Sequence, residues 1–232
     1  MALRILITGA SRGFGAALSL AFAERGATVF GGARGACPEL ERIAQQYPGL
    51  VSAVELDVQS TASVERARRT VAEHADALDV VVNNAALRSA TVLNELPTID
   101  FDDAKLTLDV NSLGPLRVAQ AFLPLLRRGD SPALVNVSSE AGSIGQCGRD
   151  REFDYCMSKA ALNMATKLLA NYLEGVRVFS LHPGWLRTDM GGPHAALNPL
   201  EAARESATLI AREARNRGGP LFMDHAGAVL PW

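Results

Sequence analysis

The stretch Leu3-Arg4-Ile5-Leu6-Ile7-Thr8-Gly9-Ala10-Ser11-Arg12-Gly13-Phe14-Gly15 decides the fold. Leu3–Thr8 is a short apolar run that reads as a strand buried on both faces. It passes directly into a glycine turn, and a helical pattern then runs from about Gly13 to Glu24. Gly26 suits the left-handed position that closes such a helix. Glycines at this junction let the backbone turn sharply after a strand and approach a pyrophosphate, while the helix N-terminus offers free N–H groups and positive potential. The spacing of Gly9, Gly13 and Gly15 differs from the G-x-G-x-x-G fingerprint. Alone it also fits an ordinary strand-to-helix turn, so the downstream chain decides.

Outward from this junction, β-rich apolar runs alternate with helical patterns. The further strands expected are Thr28–Gly32, Val51–Leu56, Val80–Val82, Leu134–Val137, Val176–Leu181 and Leu221–Met223. Pro38 suits the first turn of a second helix that stops near Pro48, and Ser60 or Thr61 caps a third. A longer helix from about Ile99 toward Leu126 should bend or break at Pro115 and Pro124, and another is expected from Pro199 to Arg215. Right-handed crossovers turn this alternation into a single α/β domain over 1–232, a Rossmann-type doubly wound parallel sheet of about seven strands in the order 3-2-1-4-5-6-7, with helices on both faces. Its dinucleotide-binding half is expected over about 1–135 and its catalytic and substrate half over about 136–232.

Bulk properties narrow the function. The chain has 232 residues, a net charge of −2 and no basic field that would draw nucleic acid or an anionic membrane. Three cysteines, Cys37, Cys147 and Cys156, have no Cys-x-x-Cys spacing, and the four histidines show no paired metal-ligand spacing, so no metal site is expected. A reducing, cytoplasmic setting fits this cysteine usage. No G-x-S-x-G elbow supports a hydrolase.

The chemistry-bearing pattern is Tyr155-Cys156-Met157-Ser158-Lys159, which places a phenol and an amine on one helix face. A nearby ammonium favours phenolate, so a tyrosine whose pKa starts near ~10 becomes usable as an acid or base at neutral pH. Asn83-Asn84-Ala85-Ala86 follows the fourth strand, Ser138-Ser139 ends the fifth, and His182-Pro183-Gly184-Trp185-Leu186-Arg187-Thr188 ends the sixth. With Thr8-Gly9-x-x-x-Gly13-x-Gly15, Asn111 and the Tyr155/Lys159 pair, these resemble the short-chain dehydrogenase/reductase family from about Leu3 to Trp232.

That resemblance implies hydride transfer between a nicotinamide and a carbonyl or alcohol, run toward reduction or oxidation according to the cofactor ratio. Tyr155 is then the proton donor and Ser139 the hydrogen-bond donor to the developing alkoxide. Lys159 lowers the Tyr155 pKa and binds the ribose, and Asn111 holds a relay water. Side-chain alternation points Ser138 the other way. The cofactor set implied is Gly9, Ser11, Arg12, Gly13, Phe14, Gly15, Arg34, Asp57, Val58, Asn84, Ala85, Ala86, Tyr155, Lys159, Pro183, Gly184, Trp185 and Thr188. An acid at the end of the second strand would hold both ribose hydroxyls of NAD. The chain reads Phe30-Gly31-Gly32-Ala33-Arg34, with no acid, so NADPH is expected over NADH, with Arg34 and Arg12 on the 2′-phosphate. As a single residue Arg34 also fits a solvated surface arginine, and it is the missing acid that favours NADPH.

The segments Ser158–Ala165 and His182–Pro193 and the final Leu230-Pro231-Trp232 are most similar to the C-factor/sniffer-like carbonyl reductase branch. Two readings follow: a carbonyl reductase, or a cofactor-binding signalling or regulatory protein with little turnover. The charged run Gly148–Asp154 departs from the branch; it is either a solvated loop with internal ion pairs or a rim where Arg149 or Arg151 recognises an anionic or polar substrate. Ile144, Phe153, Trp185 and Met190 could surround a small or medium carbonyl compound. The helices beginning near Ile99 and Phe153 are expected to pair across a homodimer, or else to bury their apolar residues within the chain.

Overall fold

The computed structural model describes residues 2–232. Seven parallel strands form one sheet: β1 (Arg4–Thr8), β2 (Thr28–Ala33), β3 (Val51–Glu55), β4 (Val80–Asn83), β5 (Ala133–Val137), β6 (Arg177–His182) and β7 (Phe222–Asp224). Their spatial order is β3-β2-β1-β4-β5-β6-β7, the order expected from the sequence. The reversal between β1 and β4 opens a crevice at the carboxyl ends of the strands. The motifs after β1, β4, β5 and β6 leave the sheet at that edge.

The helices are α1 (Gly13–Ala23), α2 (Pro38–Gln46), α3 (Thr61–Ala72), α4 (Phe101–Leu108), α5 (Gly114–Leu126), α6 (Phe153–Tyr172) and α7 (Pro199–Glu213). Alternation along the strands divides the core. Ile5, Ile7, Val80, Val82 and Val135 pack with α1, α2 and α7, while Leu6, Val81, Leu134 and Val178 pack with α3 and α5. Leu169 and Ala170 of α6 lie against that second cluster. With both faces covered, the strands read as continuous apolar runs.

Local chemistry sets the ends of these elements. Ser60 caps α3 by accepting the Ser63 N–H, and Asp100 caps α4 by accepting from Asp102 and Asp103. Gly26 has φ +75 and closes α1 as expected. The long helix read over Ile99–Leu126 is two helices joined by a π-helical turn, Asp109–Leu113. Pro115 has no N–H to return to the Asn111 carbonyl, and the Gly114 N–H reaches back to Asp109 instead. Pro124 does not interrupt α5. It lies on the exposed side one turn after exposed Gln120, whose carbonyl water can satisfy.

Candidate active site

Two adjoining constructions occupy the crevice. The first is the glycine turn after β1. Thr8 Oγ1 accepts the N–H groups of Asn84 and Ala85, each at 3.0 Å, and Asn84 Nδ2 donates to the carbonyls of Thr8 at 2.9 Å and Gly9 at 3.1 Å. The ends of β1 and β4 are thereby tied together. A Cβ on Gly15 would lie 2.3 Å from the Gly9 carbonyl oxygen and 2.5 Å from Asn84 Nδ2, and one on Gly9 would lie 2.7 Å from Ala85 Cα. Packing therefore requires glycine at both positions, and Gly9 also has φ +66.

This turn fits a dinucleotide pyrophosphate. No side chain caps the first turn of α1, so its N–H donors remain directed at the crevice. Thr188 approaches from beyond β6: its Cγ2 is 3.6 Å from where a Gly13 Cβ would stand, and Arg12 pairs with Asp189 at 2.6 Å. Pro183 and Gly184, the latter at φ +86, make the turn that carries this segment over the glycine loop, and the Trp185 indole donates to the Gly191 carbonyl. Ser11 is half-buried and Phe14 buried in the same loop. Asp57 accepts the Gln59 N–H at 3.0 Å, fixing the turn after β3, and Val58 is buried beside Gly114. Ala86 continues the strip after β4. Arg34 is exposed and lines an open cleft of about 390 Å³ with Cys37 and Glu55.

The second construction joins the end of β5 to the first turns of α6. Ser138 and Ser139 diverge: Ser138 Oγ donates to Asn163 Oδ1 at 2.7 Å, while Ser139 Oγ donates to Glu140 Oε2 at 2.6 Å and accepts the Ala141 N–H at 3.1 Å. Lys159 is buried, and its ammonium donates to the Val137 carbonyl at 2.9 Å. Gly142 lets the turn after Ser139 sit on α6, since a Cβ there would lie 2.6 Å from the Lys159 carbonyl carbon. Asn111 is fully buried in the π turn. Its Oδ1 accepts the Leu87 N–H at 2.7 Å, and its Nδ2 donates to the Leu87 carbonyl at 2.8 Å and Ser158 Oγ at 3.0 Å. The side chain thus anchors the segment after β4 to α6, leaving the main-chain carbonyl as the group Asn111 can present to a water.

The acid–base balance differs from the sequence expectation. Lys159 was expected to lower the Tyr155 pKa, yet the phenol is pushed up to about 12. Burial is the largest cause; the Ser139 hydrogen bond opposes it, and the carboxylates of Glu140 and Glu152 add to it. The Lys159 ammonium lies 5.8 Å from the Tyr155 ring centroid, bonded to a carbonyl rather than to the phenol oxygen. Burial lowers Lys159 itself to about 8.

Sequence reasoning passed over Glu140 and Arg88, and took Glu152 only as one member of the charged run Gly148–Asp154. Ser139 Oγ donates to Glu140 Oε2 at 2.6 Å, Arg149 bridges Glu140 and Glu152, and Arg88 Nε donates to Glu152 at 3.1 Å. Glu152, the residue before α6, has φ +62, and among the described residues it alone is a non-glycine in that region. Such strain persists where surrounding contacts hold it, here through the two arginines. Arg151 pairs with Glu95 at 3.3 Å. Both rim arginines are engaged by carboxylates of the chain, the ion-paired alternative of the two sequence readings. An acid directly after the serine pair was the signal available for Glu140. Among the described residues, no cluster of three or more potential ligands could hold a metal, and no helix is long and apolar enough to cross a membrane.

A doubly wound sheet with a glycine turn at the N-terminus of α1, beside a half-buried phenol and a buried amine, is the arrangement of a dinucleotide-dependent oxidoreductase. The short chain dehydrogenase family profile matches residues 4–197, and the chain belongs to that family. It is 38% identical over 157 residues to the C-signal of Myxococcus xanthus, covering 67% of this chain and 93% of that protein. Its structure is similar to the carbonyl reductase Sniffer of D. melanogaster, with TM-score 0.89 and 29% identity over the whole of both chains. It is also similar to a putative short-chain dehydrogenase/reductase from Burkholderia multivorans with bound NADP, with TM-score 0.90 and 28% identity over both whole chains.

The buried lysine yields a stability prediction. Its folded-state pKa of about 8 lies below its ordinary value of 10.5, so between these the unfolded chain binds a proton that the folded chain does not, and stability from this group rises with pH. Below that window the folded state bears the full cost of a buried charge. Lys159→Met should raise Tm at neutral pH by about 5 °C, and the gain should vanish as pH approaches 10.5. Thermal melts followed by circular dichroism check this; an unchanged or lowered Tm at neutral pH contradicts it.

Proposed function

We propose that the protein is an NADPH-dependent carbonyl reductase in which Tyr155 donates the proton. The observation that carries the reading is the meeting of Ser139, Tyr155 and Lys159 at the end of β5, with the phenol held in its acid form beside a crevice that fits a dinucleotide. When bound, the dihydronicotinamide would supply a hydride to the carbonyl carbon. Tyr155 gives its proton to the carbonyl oxygen, leaving a tyrosinate. Ser139 binds the same oxygen, and Lys159, with a pKa near 8, returns a proton at neutral pH through water held at the Asn111 carbonyl. The glycine turn, Asp57, Val58, Asn84, Ala85, Ala86 and the Pro183–Thr188 segment hold the cofactor.

The rim is apolar where its charges are paired. Ile144, Trp185 and Met190 are exposed there, and Phe153 is half-buried. This favours a small or medium uncharged aldehyde or ketone. A second reading, a signalling protein that binds cofactor with little turnover, draws on the likeness to the C-signal. The three free cysteines suit work in a reducing cytoplasm.

A homodimer is part of the proposal. Met157, Met164, Leu168 and Tyr172 recur at helical spacing on α6 and are exposed, Tyr172 by 75%. Packed against α6, α4 exposes Phe101 and Leu106. Such a stripe on a water-facing helix needs a partner, and a second copy supplies an identical one.

Three measurements test these statements. NADPH consumption over a panel of aldehydes, ketones, diketones and quinones should find a substrate, and Tyr155→Phe should cut kcat by about 10²–10⁴ while leaving NADPH affinity within about twofold. No turnover across the panel, despite NADPH binding and a stable protein partner, favours the signalling reading. Arg34→Asp should weaken NADPH by about tenfold to a hundredfold and shift preference toward NADH; an unchanged ratio of kcat/KM for the two cofactors removes Arg34 from recognition. Light scattering should give twice the chain mass for the wild type and the single mass for Met164→Glu/Leu168→Glu. A monomeric wild type contradicts the dimer.

A further inference from the structure

The rim segment after β5 is fixed on both sides and bare between them. Its start, the turn Glu140–Gly142, lies against α6, where a Cβ on Gly142 would meet the Lys159 backbone. Its continuation, the 3₁₀ turn Ile144–Gln146, is held by residues 230–232. The chain after β7 doubles back: Val229 bridges Met223 in antiparallel fashion, and the Leu230 N–H donates to the Phe222 carbonyl at 3.0 Å. This course brings the main-chain oxygens of Pro231 and Trp232 to the rim segment. Ser143 is buried, and its hydroxyl donates to the Pro231 oxygen at 2.8 Å, with the Trp232 oxygen at 3.2 Å. The Gly145 N–H donates to the same Trp232 oxygen at 3.0 Å. One oxygen thus meets groups from the residues on either side of Ile144.

Ile144 itself is 81% exposed, so no burial of its own fixes it. Its place follows from Ser143 and Gly145, and theirs from Trp232. The Trp232 oxygen is fixed in turn by its side chain, which stacks on Phe222 with ring centroids 5.4 Å apart and planes 18° apart. Phe222 is buried on β7, so the stack ties the rim to the edge of the sheet. Aromatic pairs in such a geometry contribute beyond the area they bury.

We propose that Trp232 is a positioning residue that sets substrate range through Ile144: its ring, stacked on Phe222, holds its main-chain oxygen where Ser143 and Gly145 bond to it, and this fixes Ile144 as a wall against which the larger, non-reacting group of a carbonyl compound packs. The inference rests on the carbonyl reductase reading. The contacts run from β7 to the rim without passing through the glycine turn, so cofactor binding and the proton step are left alone. A wall that ground state and transition state feel alike changes KM and leaves kcat. Only compounds large enough to reach Ile144 respond to it.

The test compares wild type, Trp232→Ala, Trp232→Phe, Ser143→Ala, Ile144→Ala and the double variant Ile144→Ala/Trp232→Ala. One readout is amide hydrogen exchange of the peptide covering 143–147. The other is steady-state kinetics with the smallest and the bulkiest compounds of the carbonyl panel that the wild type reduces. Trp232→Ala and Ser143→Ala should speed exchange in that peptide by about tenfold or more. They should raise KM for the bulkiest compound by about tenfold, while its kcat, the KM of the smallest compound and NADPH affinity stay within about twofold. Trp232→Phe keeps a stacking ring and should stay near wild type. Ile144→Ala should raise the same KM, and adding Trp232→Ala to it should raise it no further, because both remove one wall. Unchanged exchange or unchanged KM in Trp232→Ala overturns the proposal, as does an additive effect in the double variant or an equal loss in Trp232→Phe. If Trp232→Ala does not fold, Ser143→Ala decides by the same readouts. If no compound of the panel is reduced, the carbonyl reductase reading fails, while the exchange rates still decide whether Trp232 holds the rim.

Discussion

A lysine ammonium with 2% exposure is held by one backbone carbonyl at the end of a central strand, and the structure around the site depends on keeping it there. An ammonium removed from water loses several kcal/mol that a single hydrogen bond does not return. The surrounding packing must leave the side chain no other position. That constraint explains the density of specific contacts around α6. Asn163 ties it to Ser138 and to the Gly142 carbonyl, Asn111 ties Ser158 to the segment after β4, and Thr166 links Asn136 to Ser180 across the sheet. Asp154 receives the hydroxyls of Ser89 and Thr107, fixing the first turn of the helix. Most of these partners are buried and fully committed, so the first turns of α6 keep one orientation relative to β5.

The glycine turn reaches the same result with no charge. There, close approach does the positioning: Gly9 against Ala85, and Gly15 against the Gly9 carbonyl, leave no space for a methyl group. Because Thr8 and Asn84 bond across β1 and β4, the glycine turn and the segment that Asn111 anchors form one continuous structure. The glycine turn and the first turns of α6 are thus coupled through β4 and Leu87 as well as through the sheet.

Much of the fold was legible because its signals are local and repeated. Strands buried on both faces read as unbroken apolar runs, and crossover handedness then leaves few orders for the sheet. The split between α4 and α5 was half-legible: Pro115 announced a disruption, but a π turn placed before the proline depends on where the Gly114 N–H finds a carbonyl. Around the site, residue types and spacing located Tyr155 and Lys159 on one helix face. They could not give the direction of the phenol's pKa. The i, i+4 rule brings two side chains near each other without saying which atom of one the other reaches, and here the ammonium bonds to Val137 instead of the phenol oxygen. Glu140 was hidden for a related reason. Its contact with Ser139 arises from the 3₁₀ turn Glu140–Gly142, whose geometry no periodicity encodes.

Charge placement around the phenol separates two tasks that sequence motifs present as one. A cation beside a tyrosine promotes the base form, whereas carboxylates and burial promote the acid form. In this chain the cation is drawn to a backbone carbonyl, while two carboxylates stand on the other side of the hydroxyl, pinned by Arg88 and Arg149. The arginines neutralise the rim as a whole, so a substrate approaching from solvent meets little net charge. At the phenol, Arg88 opposes the two carboxylates, and burial remains the largest influence on its acidity.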